Sequence, residues 1–169
     1  LTLMERSIGE KEETVHIACR ENDVLLRTSR CTIYSRLVEG RYPNWRQVIP
    51  SREDSVIIDM VVGPFYNVIR QASIVADQET RGLDFEFSEG TLLLSASTAD
   101  LGQSRVEMPI EYDGEPIKMK LDYRYIGDFL KVLDSDAQFK MDVASSTQPA
   151  LMSTEDGYAY VVMPMALDA

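Results

Sequence analysis

The chain has 169 residues, 44% of them apolar, and a formal net charge of −11. That length suits one ordinary domain or one and a half small ones, and the apolar share excludes wholesale disorder. No apolar run approaches the ~20 residues of a membrane span, the charged start (Glu5, Arg6, Glu10, Lys11) is unlike a signal peptide, and the acidic total taken alone argues against a nucleic-acid partner.

The chain begins at Leu1 and reads as a piece of something longer. Leu1-Thr2-Leu3-Met4 is compatible with the end of a helix. Val15, Ile17 and Cys19 then alternate with His16, Ala18 and Arg20, which predicts a strand, and Glu21-Asn22-Asp23 reads as a tight turn. Residues 24–27 and 31–37 read as two further strands. Cys19 and Cys31 are too sparse for a disulfide framework and lack metal-type spacing, so two reduced, half-buried strand residues of an intracellular protein are expected.

Charge is unevenly spread. Residues 1–50 hold 8 Lys+Arg and 7 Asp+Glu, whereas residues 51–169 hold 9 and 21. A boundary near residue 50 follows, and Tyr42-Pro43-Asn44-Trp45 with Pro50-Ser51-Arg52-Glu53-Asp54 has the makeup of a connector.

Beyond the connector, residues 56–62 read as a strand. Phe65, Val68, Ile69, Ala72, Val75 and Ala76 fall at helical spacing, with Gly63-Pro64 as the entrance. Leu83, Phe85 and Phe87 alternate with Asp84 and Glu86, and Ser88-Glu89-Gly90-Thr91 turns the chain into a return strand over 92–97. Strands over 106–112 and 117–121 follow, and Ile126, Phe129, Leu130 and Leu133 restore the helical period. Residues 138–143, 150–153 and 158–163 close with strands. The order is strand, helix, four strands, helix, three strands: an α+β fold with a mostly antiparallel sheet. Residues 1–50 repeat the last part of that plan, which predicts a truncated copy of an internal repeat.

The search for catalytic motifs comes out empty. His16 is the only histidine, and GxSxG, HExxH, P-loop and GxGxxG patterns are absent. Glu12-Glu13 and Glu53-Asp54 read as solvated carboxylates, and no Asp-x-Asp-x-Asp-Gly loop is present. The informative feature is an apolar ending, Tyr160-Val161-Val162-Met163-Pro164-Met165-Ala166-Leu167. Chain ends are usually solvated, and exposed methionines suit adaptable binding of short peptides. Two readings stay open for this tail: it covers the domain's own core, or it binds a partner.

Leu37-Val38-Glu39-Gly40-Arg41-Tyr42-Pro43-Asn44-Trp45-Arg46-Gln47-Val48-Ile49-Pro50 resembles the signature that joins the middle and last domains of bacterial sliding clamps, the beta subunits of replicative DNA polymerase. Tyr160-Val161-Val162-Met163-Pro164-Met165 is similar to the clamps' C-terminal signature. The resemblance covers the whole chain. It implies the DNA-clamp repeat, two helices packed on antiparallel sheet, with one complete copy (residues 50–169) and the back half of another (residues 1–49).

What the resemblance implies for function is a non-catalytic homodimer ring that needs no cofactor or metal and makes no membrane contact. The ring encircles duplex DNA in the bacterial cytoplasm, at the nucleoid. It tethers polymerase and clamp loader subunits through short clamp-binding peptides, which dock in an apolar cleft between the middle and last domains. Matching motifs implies a cleft built from Pro43, Val48, Tyr125, Ser146, Val161, Met163, Pro164, Met165 and Leu167. Ala166 stands where the family has a basic residue. Arg70, Arg81, Arg124 and Lys131 are the implied DNA contacts, with Asp128 between the last two on one helix face. Ile74 and Val75 are the implied ring contacts. The alternative is an unrelated peptide-binding adaptor that uses the Met-rich tail.

Overall fold

Alternation at the start of the chain produces the expected meander. The computed structural model describes residues 2–8, 14–42, 44–50 and 55–166. It divides into two compact units, Leu1–Asn44 and Trp45–Ala169. In the first unit, α1 (Thr2–Ser7) precedes β1 (His16–Cys19), β2 (Asp23–Arg27) and β3 (Thr32–Arg36), an antiparallel sheet in that order. Thr2, Leu3 and Met4 of the opening segment are therefore helical, while Leu1 lies outside the described residues. Ile17, Leu26 and Ile33 form one cross-strand row, and within it Leu26 is buried while Ile17 remains exposed. The expected pair of half-buried cysteines is corrected: both are free thiols, Cys31 is half-buried, and Cys19 is exposed at the end of a strand whose residues are all exposed.

The second unit opens with a short helix, α2 (Trp45–Val48), inside the stretch read as a connector. Then follow β4 (Val56–Val61), α3 (Val62–Ala72) with a 3-10 turn over Ser73–Val75, β5 (Gly82–Ser88), β6 (Thr91–Thr98), β7 (Gly102–Pro109), β8 (Ile117–Asp122), α4 (Tyr123–Leu130), β9 (Gln138–Val143), β10 (Ala150–Ser153) and β11 (Ala159–Val162). The strands make two four-stranded antiparallel sheets, β11-β10-β9-β4 and β7-β6-β5-β8. Helix α4 followed by the β9–β11 meander repeats the order of α1 and β1–β3.

Two boundaries differ from expectation for identifiable reasons. Helix α3 begins at Val62, ahead of Gly63-Pro64, because the loop before β9 supplies acceptors for its first donors. The Val62 and Gly63 N–H groups donate to Ala137 O and Ser135 O at 3.0 and 2.8 Å. Pro64 then stands in the first turn, where an N–H has no helical partner. Strand β7 begins at Gly102 rather than Val106. Its polar Gln103, Ser104 and Arg105 pair with Ser97, Ala96 and Ser95 of β6, and the Ser104 hydroxyl donates to Ala72 O at 2.5 Å. Tyr112, expected to end that strand, lies beyond it, buried, with its hydroxyl on Glu115 O at 2.5 Å.

Both helices bury one stripe: Val62, Phe65, Ile69 and Ala72 from α3, and Ile126, Gly127, Phe129 and Leu130 from α4. The stripes meet the sheets through an aromatic cluster. Phe139 of β9 takes Phe65 at 5.7 Å and Phe129 at 5.3 Å between ring centroids. Phe129 also stacks on Tyr158 at 5.4 Å and meets Tyr160 of β11 at 5.8 Å. Asp122 caps α4 by accepting the Arg124 N–H at 2.8 Å.

Burial raises the pKa of Tyr160 above its ordinary 10.0, and the nearby Asp128 carboxylate adds to the shift. Burial raises Tyr112 in the same direction, with Glu115 and Asp113 contributing.

Three predictions follow from this packing. Phe129→Ala leaves a cavity among three ring partners and lowers unfolding free energy by ~3–5 kcal/mol in chemical denaturation. At Gly63 an added Cβ would collide with the Ser135 hydroxyl and lie 2.8 Å from its carbonyl oxygen, so Gly63→Ala costs about 1–3 kcal/mol in the same assay. Tyr112 and Tyr160 hold their protons more tightly folded than unfolded. Their share of stability is therefore intact below pH 10.0, the ordinary tyrosine value, and is lost as pH rises through the raised folded values. Absorbance titration resolves these two late phenols, and melting temperature falls across the same range.

Candidate functional site

The apolar ending is built by two sheets together. Tyr160 and Val162 of β11 face the core, and beyond Val162 the chain leaves one sheet for the other. The Met165 N–H donates to Lys120 O at 2.7 Å, an isolated antiparallel bridge onto β8, the edge of the second sheet. Pro164 lies in the span between, where its ring fixes backbone direction. Pro164 and Met165 are half-buried, while Met163 is 63% exposed. The tail is thus tied at both ends with a thioether presented to solvent. Tyr125 of α4 is 54% exposed and lies close enough to Tyr160 to perturb its phenol.

The outward face of sheet β11-β10-β9-β4 adjoins this tail. Its register sets Ile57, Asp142, Leu151 and Val161 in one cross-strand row, and Asp59, Lys140, Ser153 and Ala159 in the next. Val161 is half-buried there and Leu151 is buried. Ile49, directly after α2, reaches this face, where it lines a cavity of about 480 Å³ with Leu151, Lys140 and Ala159. Val48, the preceding residue, is 54% exposed. Ser146 is half-buried in the loop between β9 and β10. Pro43 and Leu167 lie outside the described residues.

The implied DNA contacts share the helix layer. Tyr66 of α3 and Lys131 both lie over Gly127 of α4, where an added Cβ would meet the Tyr66 ring at 3.8 Å and Lys131 Cε at 3.9 Å. The Arg70 guanidinium sits 6.0 Å from the centre of the Tyr66 ring. Arg70 and Lys131 therefore flank one aromatic side chain. Arg124 shares the exposed face of α4 with Asp128, which pairs with Lys131 at 3.4 Å. Arg81 joins them from the loop before β5: its carbonyl accepts the Tyr123 N–H at 3.2 Å, at the start of α4. Arg81 holds φ +58°, a left-handed conformation uncommon outside glycine.

Ile74 and Val75 occupy the 3-10 turn after α3. Ile74 is 72% exposed, whereas Val75 packs against the core and its carbonyl accepts the Thr98 hydroxyl at 3.2 Å. The two implied ring contacts thus differ, and only Ile74 is fully available at the surface. Leu101, at the tip of the β6–β7 hairpin, is a second exposed apolar residue at this end, beside edge strand β7.

Sequence reading missed Ile49, Leu151 and Lys140 as one lined cavity. A signal was present: Ala150-Leu151-Met152 is a continuous apolar run, and a strand apolar on both faces is covered on both. It also missed Lys120, whose backbone carbonyl accepts the Met165 N–H. His16, the only histidine, is exposed in the first unit. Among the described residues no group of three or more His, Cys, Asp or Glu side chains is placed to hold a metal ion.

The family model described as DNA polymerase III beta subunit, C-terminal domain, matches residues 46–166. The beta sliding clamp of Pseudomonas aeruginosa is 27% identical over 167 residues, which are 96% of this chain and 44% of that protein. A crystal structure of a Pseudomonas aeruginosa sliding clamp superposes with a TM-score of 0.84 at 26% identity, over 96% of this chain and 44% of that one. The Thermotoga maritima beta subunit shares the fold, with a TM-score of 0.76 at 22% identity over 91% of this chain and 42% of that one. The chain spans about half the length of the curated relatives it matches. With most of its length matched by that model and its sheets and helices superposing on solved clamps, the chain belongs to the DNA polymerase III beta subunit family, the sliding clamps, and carries the family's C-terminal domain.

Proposed function

We propose that this chain is the C-terminal part of a sliding clamp, a non-catalytic processivity factor that closes as a homodimer ring around duplex DNA. It holds polymerase and clamp loader subunits by their short clamp-binding peptides, in the bacterial cytoplasm. Residues 1–49 then belong to the middle domain and residues 50–169 form the third. The observation that carries the reading is the tail: an apolar segment tied to two sheets, with the Met163 and Tyr125 side chains both exposed. Such a segment offers a preformed floor with one adaptable side chain, which suits an apolar peptide anchor. Pro43, Val48, Ser146, Val161, Pro164, Met165 and Leu167 complete the cleft in this reading.

DNA passes the opposite class of surface. Arg70, Arg81, Arg124 and Lys131 meet phosphates without reading bases, so contact is sequence-independent and sensitive to salt. Arg81 sits in a left-handed backbone conformation, which costs about 1 kcal/mol relative to glycine. Ile74 presents an apolar contact for the neighbouring subunit of the ring, with Val75 supporting it from the core.

Two experiments test this reading. A fluorescent peptide of Gln-x-x-Leu-Phe type binds the chain, and the full-length protein beside it, in an anisotropy titration. Truncation before Met163 abolishes binding, and Met163→Asp weakens it about tenfold or more, the equivalent of one lost apolar anchor. Undiminished binding by the truncated chain overturns the cleft. For DNA, Arg81→Gly combined with Arg124→Ala in the full-length protein lowers the salt dependence of DNA retention, by about one unit of log–log slope per lost phosphate contact, while thermal stability holds. An unchanged slope removes these residues from the DNA face.

A further inference from the structure

We infer that the cavity on the outward face of sheet β11-β10-β9-β4 is an accessory subsite. It takes an aliphatic residue followed by a carboxylate, from the partner segment flanking the clamp-binding peptide. The inference rests on the peptide-docking reading above and extends it beyond the tail.

The cavity is apolar at its base and charged at its lip. Leu151, 2% exposed, forms the floor, with Ile49 and Ala159 as walls, in a volume of about 480 Å³. That volume is within the range of sites that take small side chains and ligands, roughly 300–1,000 Å³. Hydrogen bonds within the β10–β11 hairpin hold one lip: the Thr154 N–H donates to Tyr158 O at 2.9 Å, and the Gly157 N–H to Thr154 O at 3.2 Å. Asp156 accepts the Thr154 hydroxyl and the Tyr158 N–H, which holds its carboxyl below the usual range. The lip is therefore set before anything binds, which reduces the ordering cost of docking.

Two observations choose the occupant. The first is continuity with the tail. Leu151 is the cross-strand partner of Val161, and Ile49 directly follows Val48, so the cavity extends the surface that both of those cleft residues occupy. A chain lying over Val161 needs only one strand spacing to reach Leu151. The second is charge. Lys140 is the only cation in residues 138–169, and it stands at the cavity lip, with Asp59 beside it in the register and Glu155 on the other lip. A carboxylate is attracted at Lys140 and repelled at Glu155 and Asp59, which sets the acid at the Lys140 end of the cavity. The aliphatic neighbour of that acid then enters the cavity.

The test uses the full-length protein and three fluorescent peptides: the Gln-x-x-Leu-Phe core, the core with Leu-Asp added at its N-terminus, and the core with Leu-Asp added at its C-terminus. One extended peptide binds roughly tenfold tighter than the core, as burial of one aliphatic side chain gives. Ala159→Arg, which fills the cavity from an exposed strand position, removes that gain and leaves the core affinity unchanged. Lys140→Glu reduces the gain for Leu-Asp, and a Leu-Lys extension restores it. Thermal melts confirm that both variants are folded. If the core binds and neither extension tightens it, or if the gain survives both substitutions, the subsite is overturned and the cleft stands. If the core itself fails to bind, the cleft is overturned and the subsite with it.

Discussion

Phe129 is the side chain on which the position of the tail depends. From α4 it reaches Phe139 in β9, Tyr158 before β11 and Tyr160 within it. Phe65 of α3 meets the same Phe139. One ring cluster therefore fixes both helices to the sheet from which the tail departs. The position of Met163 follows from that anchor at one end and from the Met165–Lys120 bond at the other. A short apolar segment held this way cannot collapse onto the core, so its exposure is a built feature.

The same helix layer separates two kinds of surface by physical means. Its inward stripe is aromatic and aliphatic, and its outward face carries Arg70, Arg124 and Lys131. Close approach at Gly127, under Tyr66 and Lys131, draws α3 and α4 together so that cations from both share one face. A net charge of −11 says little about such a face. A few cations gathered on one face among many carboxylates give a local attraction to anions that the total charge does not report. Total charge averages over surfaces of different sign, so it does not decide which partner a given face can take.

Much of the fold was legible because its period is clean. Leu83, Phe85 and Phe87 alternate and form β5, all three buried; Phe65, Ile69 and Ala72 recur at helical spacing and form the buried stripe of α3. Boundaries were less legible where distant groups set them. The start of α3 is decided by Ala137 and Ser135 carbonyls more than 70 residues away, and β7 gains polar Gln103 and Ser104 through pairing with β6. The tail was visible as an apolar anomaly, but its attachment was not, because the bond uses the backbone of Lys120. Leu151 shows the same limit: its identity marks it as buried, and only the register places it beside Val161 on the outward face.

In the proposed reading, the second unit's tail and the sheet face beside it form the peptide-docking surface. Hydrogen–deuterium exchange of the chain, with and without the Gln-x-x-Leu-Phe peptide, distinguishes that surface from the rest of the unit. Added protection is expected in residues 159–166 and in the α4 turn that contains Tyr125, with β5–β7 unchanged. Protection confined to the outward face of sheet β7-β6-β5-β8, with the tail unaffected, would contradict it.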